Sequence, residues 1–259
     1  MKRHSVSREL RKKIVELSMI GNEGHIASGF SVVEILVALF SMNDRMAKNI
    51  ATFESFYLSK GHSAIALYAA MRELGVLSEK ELSTFAESGS RFGGHPTKMT
   101  EPPIPASTGS LGHGLPLALG AAHARKVKLD KRPIFCLAGD GEMNEGSMWE
   151  SLLLGAKFKL DNLFMIVDDN SSSTRAIDLQ SLESKISAFG WTCICVDGHD
   201  VASLYHAFYG KDAVDGRPTC IVAKTIKGYG SHATEGRFEW HHKIPTKEER
   251  DSIFEQFYV

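Results

Sequence analysis

Four uninterrupted apolar segments, each of strand length and separated by helical patterns, constrain the fold more than any other feature. The segments are residues 133–138, 163–167, 191–196 and 220–225. We expect the helices between them at 145–158, near 179–189 and near 201–209. Strands that are apolar on both faces are typical of a parallel sheet covered by helices on both sides. The sequence therefore predicts an α/β fold with a doubly wound, mostly parallel sheet, in which ligands bind beyond the carboxyl ends of the strands.

The first half of the chain is predicted to contain further helices, one short strand and one long loop. The helices are expected at 5–20, 31–40, 63–74 and 112–127. The strand is expected at 56–58, and Ser78 is expected to cap another short helix. Residues 87–109 are rich in Gly, Pro, Ser and Thr, and a loop of this length in a compact domain is often functional.

The composition excludes several classes of function. A net charge of −1, with 43% apolar and 24% charged residues, is ordinary for a globular protein and gives no general affinity for nucleic acid or an anionic membrane. No apolar run approaches the roughly 18 residues of a membrane span, and the N-terminus lacks an apolar signal core, so we expect a cytoplasmic protein. One basic cluster is interpreted as the solvated face of the first helix: Arg8, Arg11, Lys12 and Lys13.

All cysteines fall in apolar, strand-like segments: Cys136, Cys193, Cys195 and Cys220. Cys193 and Cys195 are separated by one residue of the same predicted strand, which is not the spacing of metal ligands. We therefore expect all four to be buried free thiols in a reducing compartment.

Polar residues directly follow two of the predicted strands. Strand 133–138 runs into Gly139-Asp140-Gly141, and strand 163–167 runs into Asp168-Asp169-Asn170. A hard divalent cation prefers oxygen ligands, which Asp140, Asn170 and the backbone carbonyl of Ser172 supply. Taken singly, each cluster is better explained as a helix cap or a polar turn. Both clusters at one edge of a sheet favour a metal site.

The sequence from GDG at 139–141 to Asn170 resembles the signature of thiamine diphosphate enzymes, with just under thirty residues between the two parts. The string GDGEMNEGSMWESLLLGAKFKLDNLFMIVDDN is similar in detail to transketolases, and so are SKGH, FGGHP and STGSLG. The resemblance extends from about residue 8 to residue 245. It implies the thiamine-diphosphate-binding fold, with residues 1–259 as a single diphosphate-binding domain that holds the cofactor through Mg²⁺. Ca²⁺ or Mn²⁺ fits the same oxygen ligands.

The resemblance assigns roles to four histidines, three of them in glycine-flanked motifs and the fourth, His241, in EWHHK; all four are candidate catalytic residues. It implies that His62 and His241 contact the diphosphate. It implies that His25 and His95 line the channel for the hydroxyls and carbonyl of a sugar. His242 adjoins His241 and leaves that assignment open by one position. Histidine suits both tasks because it titrates near neutrality and can donate to phosphate oxygen or shuttle a proton.

The resemblance also implies contacts away from the histidines. Further cofactor contacts fall on Gly109, Leu111, Gly139, Gly141 and Glu142. Leu111 is expected to form an apolar surface for a cofactor ring. Glu145 is similar to the acidic residue that links the two cofactor sites across the family's dimer interface. The sequence departs from the family at His113, where Gln is usual, and at Ser171-Ser173 after Asn170, which leaves the shape of the substrate channel open.

A full transketolase also has a pyrimidine-binding domain and a C-terminal domain, which the resemblance does not cover. It therefore implies a C-terminal partner subunit, an α2β2 assembly, and an isolated chain that is inactive. The implied reaction transfers a two-carbon ketol unit from a ketose or ketose phosphate to an aldose. One alternative is the α-type subunit of a 2-oxo-acid dehydrogenase, which shares GDG and Asn170 but not SKGH or FGGHP. The other is a non-catalytic partner protein, against which the intact histidine motifs argue.

Overall fold

In the described part of the chain, five parallel strands form one sheet, around which the helices pack. The computed structural model describes residues 2–40, 52–172, 177–210 and 215–258. Its strands are β1 (Phe56–Leu58), β2 (Ile134–Gly139), β3 (Leu163–Asp169), β4 (Thr192–Asp197) and β5 (Thr219–Lys224). Their order across the sheet is β1-β2-β3-β5-β4, and every neighbouring pair is parallel.

Helices precede, connect and follow these strands. In the described residues they are α1 (Lys2–Gly21), α2 (Ile26–Phe30), α3 (Val33–Leu39), α4 (Ala64–Glu73), α5 (Glu79–Leu82), α6 (Gly114–Val127), α7 (Gly146–Lys157), α8 (Leu182–Ala188), α9 (Val201–Tyr209) and α10 (Lys247–Glu255). None of these helices combines the length and the apolar character needed to span a membrane.

The sheet is buried on both faces because successive strand residues point into two different cores. Phe135 and Leu137 pack in a core with residues of α1 to α5, α9 and α10. Cys136 and Ala138, which alternate with them, pack in a second core with residues of α6, α7 and α8. This alternation is the pleat of a β-strand. The predicted doubly wound parallel sheet with helices on both faces is confirmed.

The strand register aligns the carboxyl ends of the central strands. Gly139 at the end of β2 is paired with Asp168 near the end of β3. Asp169, the last residue of β3, is paired with Lys224 at the end of β5. The polar segments that follow these strands therefore emerge side by side at one rim of the sheet, as the sequence predicted.

Most predicted elements occur within a few residues of the expected bounds, and two helices were not foreseen. Ser78 caps α5, since its side chain accepts a hydrogen bond from the backbone N–H of Glu81. The unforeseen helices are α2, inside a glycine-flanked motif that reads as a loop, and α10. Thr246 and Glu249 form a capping box at the start of α10, which is a recognisable helix signal.

The expectation that all four cysteines are buried is wrong for the two on β4. Cys136 and Cys220 are buried, but Cys193 is half-buried and Cys195 is exposed; all four are free thiols. The cause is the strand order, because β5 lies between β3 and β4 and leaves β4 at the edge of the sheet. An apolar strand sequence does not by itself distinguish a central strand from an edge strand.

Arg11 was expected on the solvated face of the first helix, and this prediction is wrong. Its side chain is fully buried and forms a two-pronged ion pair with Glu34 on α3, with N–O distances of 2.8 and 2.7 Å. Arg11 Nε also donates to the carbonyl oxygen of Tyr229, and His199 Nδ1 lies 3.2 Å from the Glu34 carboxylate. Burial alone would raise the pKa of Glu34, but the charge of Arg11 lowers it to about 2.

Replacing Arg11 by Met should destabilise the protein strongly. The Glu34 carboxylate would be left buried without its cation, which typically costs about 3–5 kcal/mol of unfolding free energy. Urea unfolding followed by circular dichroism measures this loss. The control Lys12→Met breaks the Lys12–Glu9 ion pair on the surface of the same helix, and should cost at most about 1 kcal/mol. Equal losses for the two variants would contradict the role assigned to the buried pair.

Candidate functional site

Three distant segments of the chain bring a cluster of histidine rings together at the carboxyl rim of the sheet. The ring centroid of His25 lies 5.4 Å from that of His62, 5.3 Å from that of His241 and 4.7 Å from that of His242. His62 and His241 are 6.1 Å apart by the same measure. The ligating nitrogens of His25, His241 and His242 all lie within 4.8 Å of one another. The structure therefore brings together three of the four predicted catalytic histidines, with His242 beside them.

The backbone geometry around His25 explains how the first and last parts of the cluster approach so closely. His25 has a φ of 69° in the left-handed region and directly precedes α2. Its backbone N–H donates to the carbonyl oxygen of His241 at 3.1 Å. A Cβ atom on Gly24 would lie 2.6 Å from the carbonyl oxygen of His242. Glycine at position 24 is thus required for the contact between these segments.

The ring of His95 packs against two further glycines, Gly61 and Gly109, and Gly61 directly precedes His62 of the cluster. A Cβ on Gly61 would lie 2.9 Å from the backbone nitrogen of Gly109 and 3.1 Å from the His95 ring. Gly109 has a φ of 146°, and a Cβ there would also lie 3.1 Å from the His95 ring. The loops that carry His62, His95 and Gly109 are therefore packed together with room for hydrogen atoms but not for side chains.

Burial keeps His25, His62 and His241 neutral at pH 7 because it lowers the pKa of each imidazole. It lowers the pKa of His25 to about 4, and the neighbouring His242 and His95 lower it further. It lowers the pKa of His62 to about 2, where Lys60 is the largest charge effect, and that of His241 to about 4, where Lys227 is. A neutral imidazole carries one donor and one acceptor nitrogen. Nδ1 of His25 is buried and has no hydrogen-bond partner among the described residues, so a bound polar group would satisfy it.

Lys60 is a buried residue of the site that was not singled out from the sequence, although it stands in the SKGH string. Its ammonium group forms an ion pair with Asp168 and donates to Ser31 Oγ at 3.2 Å. Asp168 also accepts hydrogen bonds from Ser31 at 2.7 Å and from Thr225. Burial alone would raise the pKa of Asp168, but the charge of Lys60 holds it below its usual value.

Lys227 is the second residue that sequence reasoning missed. Its Nζ lies 2.8 Å from Nδ1 of His241 and 3.5 Å from Oγ of Ser172. One sequence feature could have indicated its role. Lys227 follows the end of β5 by three residues, and the ends of parallel strands are where ligands bind. Lys227 brings a cation to the same rim as the proposed metal ligands Asn170 and Ser172.

A cavity of about 320 Å³ opens at this rim. Its lining residues are Asn170, Ser171, Ser172, Thr225, Ile226, Lys227 and Gly236. Asn170 Oδ1 accepts a hydrogen bond from the Ser172 backbone N–H at 3.2 Å, and Asn170 Nδ2 donates to Asp168 at 3.0 Å. Asn170 is thereby oriented with its amide oxygen on the Ser172 side. Ser173 lies outside the described residues.

Asp140 stands one strand away from Asn170, directly after β2. Its side chain is 5% exposed, and its Oδ1 accepts a hydrogen bond from the Gly141 N–H at 2.9 Å. Asp140 lines a second cavity of about 140 Å³, which shares Ser171 with the larger one. Carboxylate, amide and carbonyl oxygens at adjacent strand ends have the donor chemistry that Mg²⁺ or Ca²⁺ requires.

Glu142 is used within the protein. The residue is 1% exposed, and its carboxylate accepts hydrogen bonds from Ser59 Oγ at 2.7 Å, from the Gly112 N–H at 3.0 Å and from the Gly139 N–H at 3.0 Å. Burial raises its pKa despite these donors. Glu142 therefore ties the segment after β1 and the loop at Gly112 to the end of β2, and its carboxylate is held by these protein donors.

The remaining predicted residues lie between the hydrogen-bonded carboxylate of Glu142 and the protein surface. Leu111 is 45% exposed, and His113 Nδ1 lies 2.9 Å from its carbonyl oxygen. A Cβ on Gly112 would lie 2.6 Å from the Cβ of Glu145, which directly precedes α7. Leu111 and Glu145 thus occupy one accessible edge of the site.

Comparison with known proteins gives concordant matches. Residues 4–253 match the family described as "Transketolase, thiamine diphosphate binding domain". The chain is 37% identical to one of the subunits of apulose-4-phosphate transketolase of Actinobacillus succinogenes, over 96% of this chain and 94% of that protein. It is 34% identical to the protein of the same name from Phocaeicola vulgatus, over 94% of this chain and 89% of that protein.

A solved structure gives the same relationship at the level of the fold. The transketolase from Leishmania mexicana superposes with a TM-score of 0.86 at 26% sequence identity. The match covers 98% of this chain but only 41% of the Leishmania chain. This chain therefore spans well under half of that transketolase, and nearly all of the two apulose-4-phosphate transketolase subunits.

Replacing His62 by Gln should flatten the dependence of stability on pH. In the unfolded chain His62 takes up a proton below about pH 6.5, whereas the folded protein binds it only near pH 2. The unfolded state therefore binds more protons, and the stability contribution of a neutral His62 is lost as the pH falls. Between pH 7 and pH 5 the wild type should lose about 2 kcal/mol more unfolding free energy than the variant.

Urea unfolding at the two pH values measures this difference. His206→Gln, which replaces an exposed histidine on α9, is the control and should keep the wild-type dependence. A His62→Gln variant that loses stability as steeply as the wild type would refute the buried, neutral state of His62.

Proposed function

The chain belongs to the transketolase family through its thiamine diphosphate binding domain, and from that premise we propose that it is the N-terminal subunit of a two-chain transketolase. The observation that carries the proposal is the rim where oxygen ligands from the ends of β2 and β3 meet Lys227 and a cluster of neutral histidines. The rim combines a site for a divalent cation with donors for a diphosphate. Similarity to the apulose-4-phosphate transketolase subunits over nearly their full length supports the two-chain arrangement.

The residues at the rim fit a magnesium diphosphate. Asp140, Asn170 and the Ser172 carbonyl would hold Mg²⁺, and Ca²⁺ or Mn²⁺ suits the same oxygen atoms. Lys227 and His241 would donate hydrogen bonds to diphosphate oxygens. Hydrogen bonds from a charged donor such as Lys227 to phosphate oxygens are stronger than those between neutral groups. The cofactor, when bound, would stabilise a carbanion, and this stabilisation allows carbon–carbon bonds to be broken and formed.

The packed glycines and histidines would position the cofactor and the sugar. Gly61 and Gly109 allow backbone atoms to approach a ligand closely, and Leu111 offers an apolar surface beside them. Nδ1 of His25 would form a hydrogen bond with a hydroxyl group of the sugar, because it is buried and lacks a partner in the described residues. His62 and His95 would lie beside the bound sugar, where an imidazole can donate or accept a proton at a neighbouring oxygen.

The remaining parts of the active site are proposed to come from a partner chain. We assign to that partner the pyrimidine-binding and C-terminal domains, in a cytoplasmic α2β2 heterotetramer. Exposed leucines on α7, the helix that follows Glu145, and on α6, which packs against α7, support such an interface. Leu153 and Leu154 on α7 and Leu117 on α6 are 58%, 41% and 48% exposed, and large exposed apolar side chains are typical of protein interfaces.

The proposed reaction is transfer of a two-carbon ketol unit from a ketose or ketose phosphate to an aldose. The names of the related subunits make apulose 4-phosphate the first donor to test. A 2-oxo-acid dehydrogenase subunit is the second candidate, since it would use the same metal and diphosphate ligands. The grouping of His25, His62 and His241, with His95 nearby, favours sugar hydroxyls over a 2-oxo acid as the recognised group.

The decisive experiment combines the pure chain with the protein encoded beside it, thiamine diphosphate and Mg²⁺. Ketol transfer should require both chains, because each supplies only part of the site. The donors to compare are apulose 4-phosphate, pentose phosphates and pyruvate. Asp140→Ala should abolish cofactor-dependent turnover, since the carboxylate ligand is lost. Asp178→Ala, an exposed carboxylate lining the smaller cavity, is the matched control and should stay active.

Each opposite outcome has a distinct meaning. Ketol transfer by the isolated chain would refute the need for a partner. Turnover of pyruvate but of no ketose would assign the chain to the 2-oxo-acid dehydrogenases. Failure to bind the cofactor in the assembled complex would identify a non-catalytic partner protein.

Lys227→Gln should weaken cofactor binding in the assembled complex. Losing one charge-assisted hydrogen bond, worth about 1.5–3 kcal/mol, raises the Kd of thiamine diphosphate by about 10- to 100-fold. Isothermal titration calorimetry with saturating Mg²⁺ measures this change. Lys243→Gln removes a cation that pairs with Glu249 instead, and should leave the Kd unchanged. Unchanged affinity in Lys227→Gln would exclude Lys227 from the diphosphate site.

A further inference from the structure

Three thiols lie on one face of the sheet where the edge strand β4 meets β5, and the proposed function uses none of them. Cys193 is directly paired with Cys220 in the parallel register. Both pack in the core that contains α6, α7 and α8. Cys195, two residues further along β4, is on the same face because strand side chains repeat every second residue. A pair of neighbouring thiols is thus combined with a third at the exposed end of the row.

The distance between Cys193 and Cys220 suits a covalent bond. Directly paired residues of neighbouring strands are about 4.8 Å apart, and disulfides span Cα separations of about 4.4–6.8 Å. The Cys220 thiol is near enough to Cys193 to lower the pKa of the Cys193 thiol. Cys195 is diagonal to Cys220, and such neighbours are about 7–8 Å apart. The geometry therefore selects Cys193 as the partner of Cys220.

The two thiols differ in reactivity. Cys193 is half-buried beneath α8, and its pKa is lowered mainly by the hydrogen bond from Cys220 and further by one from Ser187. Cys220 is completely buried, and burial raises its pKa well above the usual value. Because the thiolate is the nucleophile, Cys193 is the thiol that reacts first. Cys220 is poised beside it as the second reactant.

We propose that Cys193 and Cys220 form a reversible peroxide-sensitive thiol pair, in which Cys193 is oxidised first and Cys220 closes an intrachain disulfide. The Cys193 thiolate attacks hydrogen peroxide, so that an S–O bond forms, the O–O bond breaks and hydroxide leaves. The Cys220 sulfur then attacks Cys193; the S–O bond breaks, and water leaves with the Cys220 proton. The two sulfurs are oxidised and the peroxide is reduced to water. Thiols such as dithiothreitol reverse the change by exchange.

The thiol pair is separate from the proposed cofactor rim. Cys220 is the second residue of β5, whereas the rim begins after Lys224 at the other end of that strand. Four residues of strand correspond to about 13 Å. The thiol chemistry can therefore be tested without cofactor or partner, and its result does not depend on the proposed function.

The test treats the purified chain with hydrogen peroxide, blocks remaining thiols with iodoacetamide and maps the products by mass spectrometry. Before blocking, the wild type should lose the mass of two hydrogen atoms, and dithiothreitol added at that point should restore the original mass. After blocking, the map should show Cys193 joined to Cys220. Cys195→Ser should form the same bond, and Cys193→Ser should form none. In Cys220→Ser, which keeps a hydroxyl donor beside Cys193 but cannot close the disulfide, dimedone should label Cys193.

Three results would overturn the proposal. One is a disulfide that contains Cys195, which would mean that exposure rather than strand pairing selects the thiol. Another is dimedone labelling of Cys195 with Cys193 unmodified. The third is a wild-type chain that keeps all its thiols under peroxide that oxidises a free thiol in the same solution. Mapping of the wild type requires no substitution, so an unstable variant does not remove the test.

Discussion

The buried ion pair between Lys60 and Asp168 is the interaction on which the site depends. It joins the segment after β1 to the end of β3, and Thr225 attaches the end of β5 to the same carboxylate. Charges taken out of water are tolerated only when paired and fully hydrogen-bonded, which restricts all three segments to one arrangement. His62, Asn170 and Lys227 each lie two residues beyond one of these anchors. The anchors thus determine where the functional side chains emerge.

The electrostatic character of the rim follows from how its charges are compensated. Lys60 is neutralised by Asp168, and His25, His62 and His241 are uncharged at pH 7 because burial lowers the pKa of each imidazole. Lys227 lines the cavity and brings an ammonium group within 2.8 Å of Nδ1 of His241. A site of this kind attracts an anion, while the oxygen atoms of Asp140 and Asn170 provide for a cation that accompanies it. The arrangement suits a metal diphosphate better than either ion alone.

The sheet and its polar rim were predictable because both depend on local pattern. Apolar strands ending in Asp140 and Asn170 are visible in the sequence, and parallel pairing brings their ends together. The convergence of His25, His62 and His241 came from family resemblance, since no local rule relates such distant segments. The burial of Arg11 depends on Glu34 and on a carbonyl 218 residues away, and the exposure of β4 depends on strand order. Local sequence patterns contain neither kind of information.

The carboxylate of Glu142 has a consequence for how a ligand is received. By accepting hydrogen bonds from Ser59, Gly112 and Gly139 together, it immobilises the loop that presents Leu111 relative to both strand ends. Ordering a free loop on association consumes conformational entropy and weakens affinity. Here that ordering has been completed during folding. A ligand that reaches the rim therefore meets a preorganised surface, and its affinity is not reduced by the entropy cost of ordering this loop.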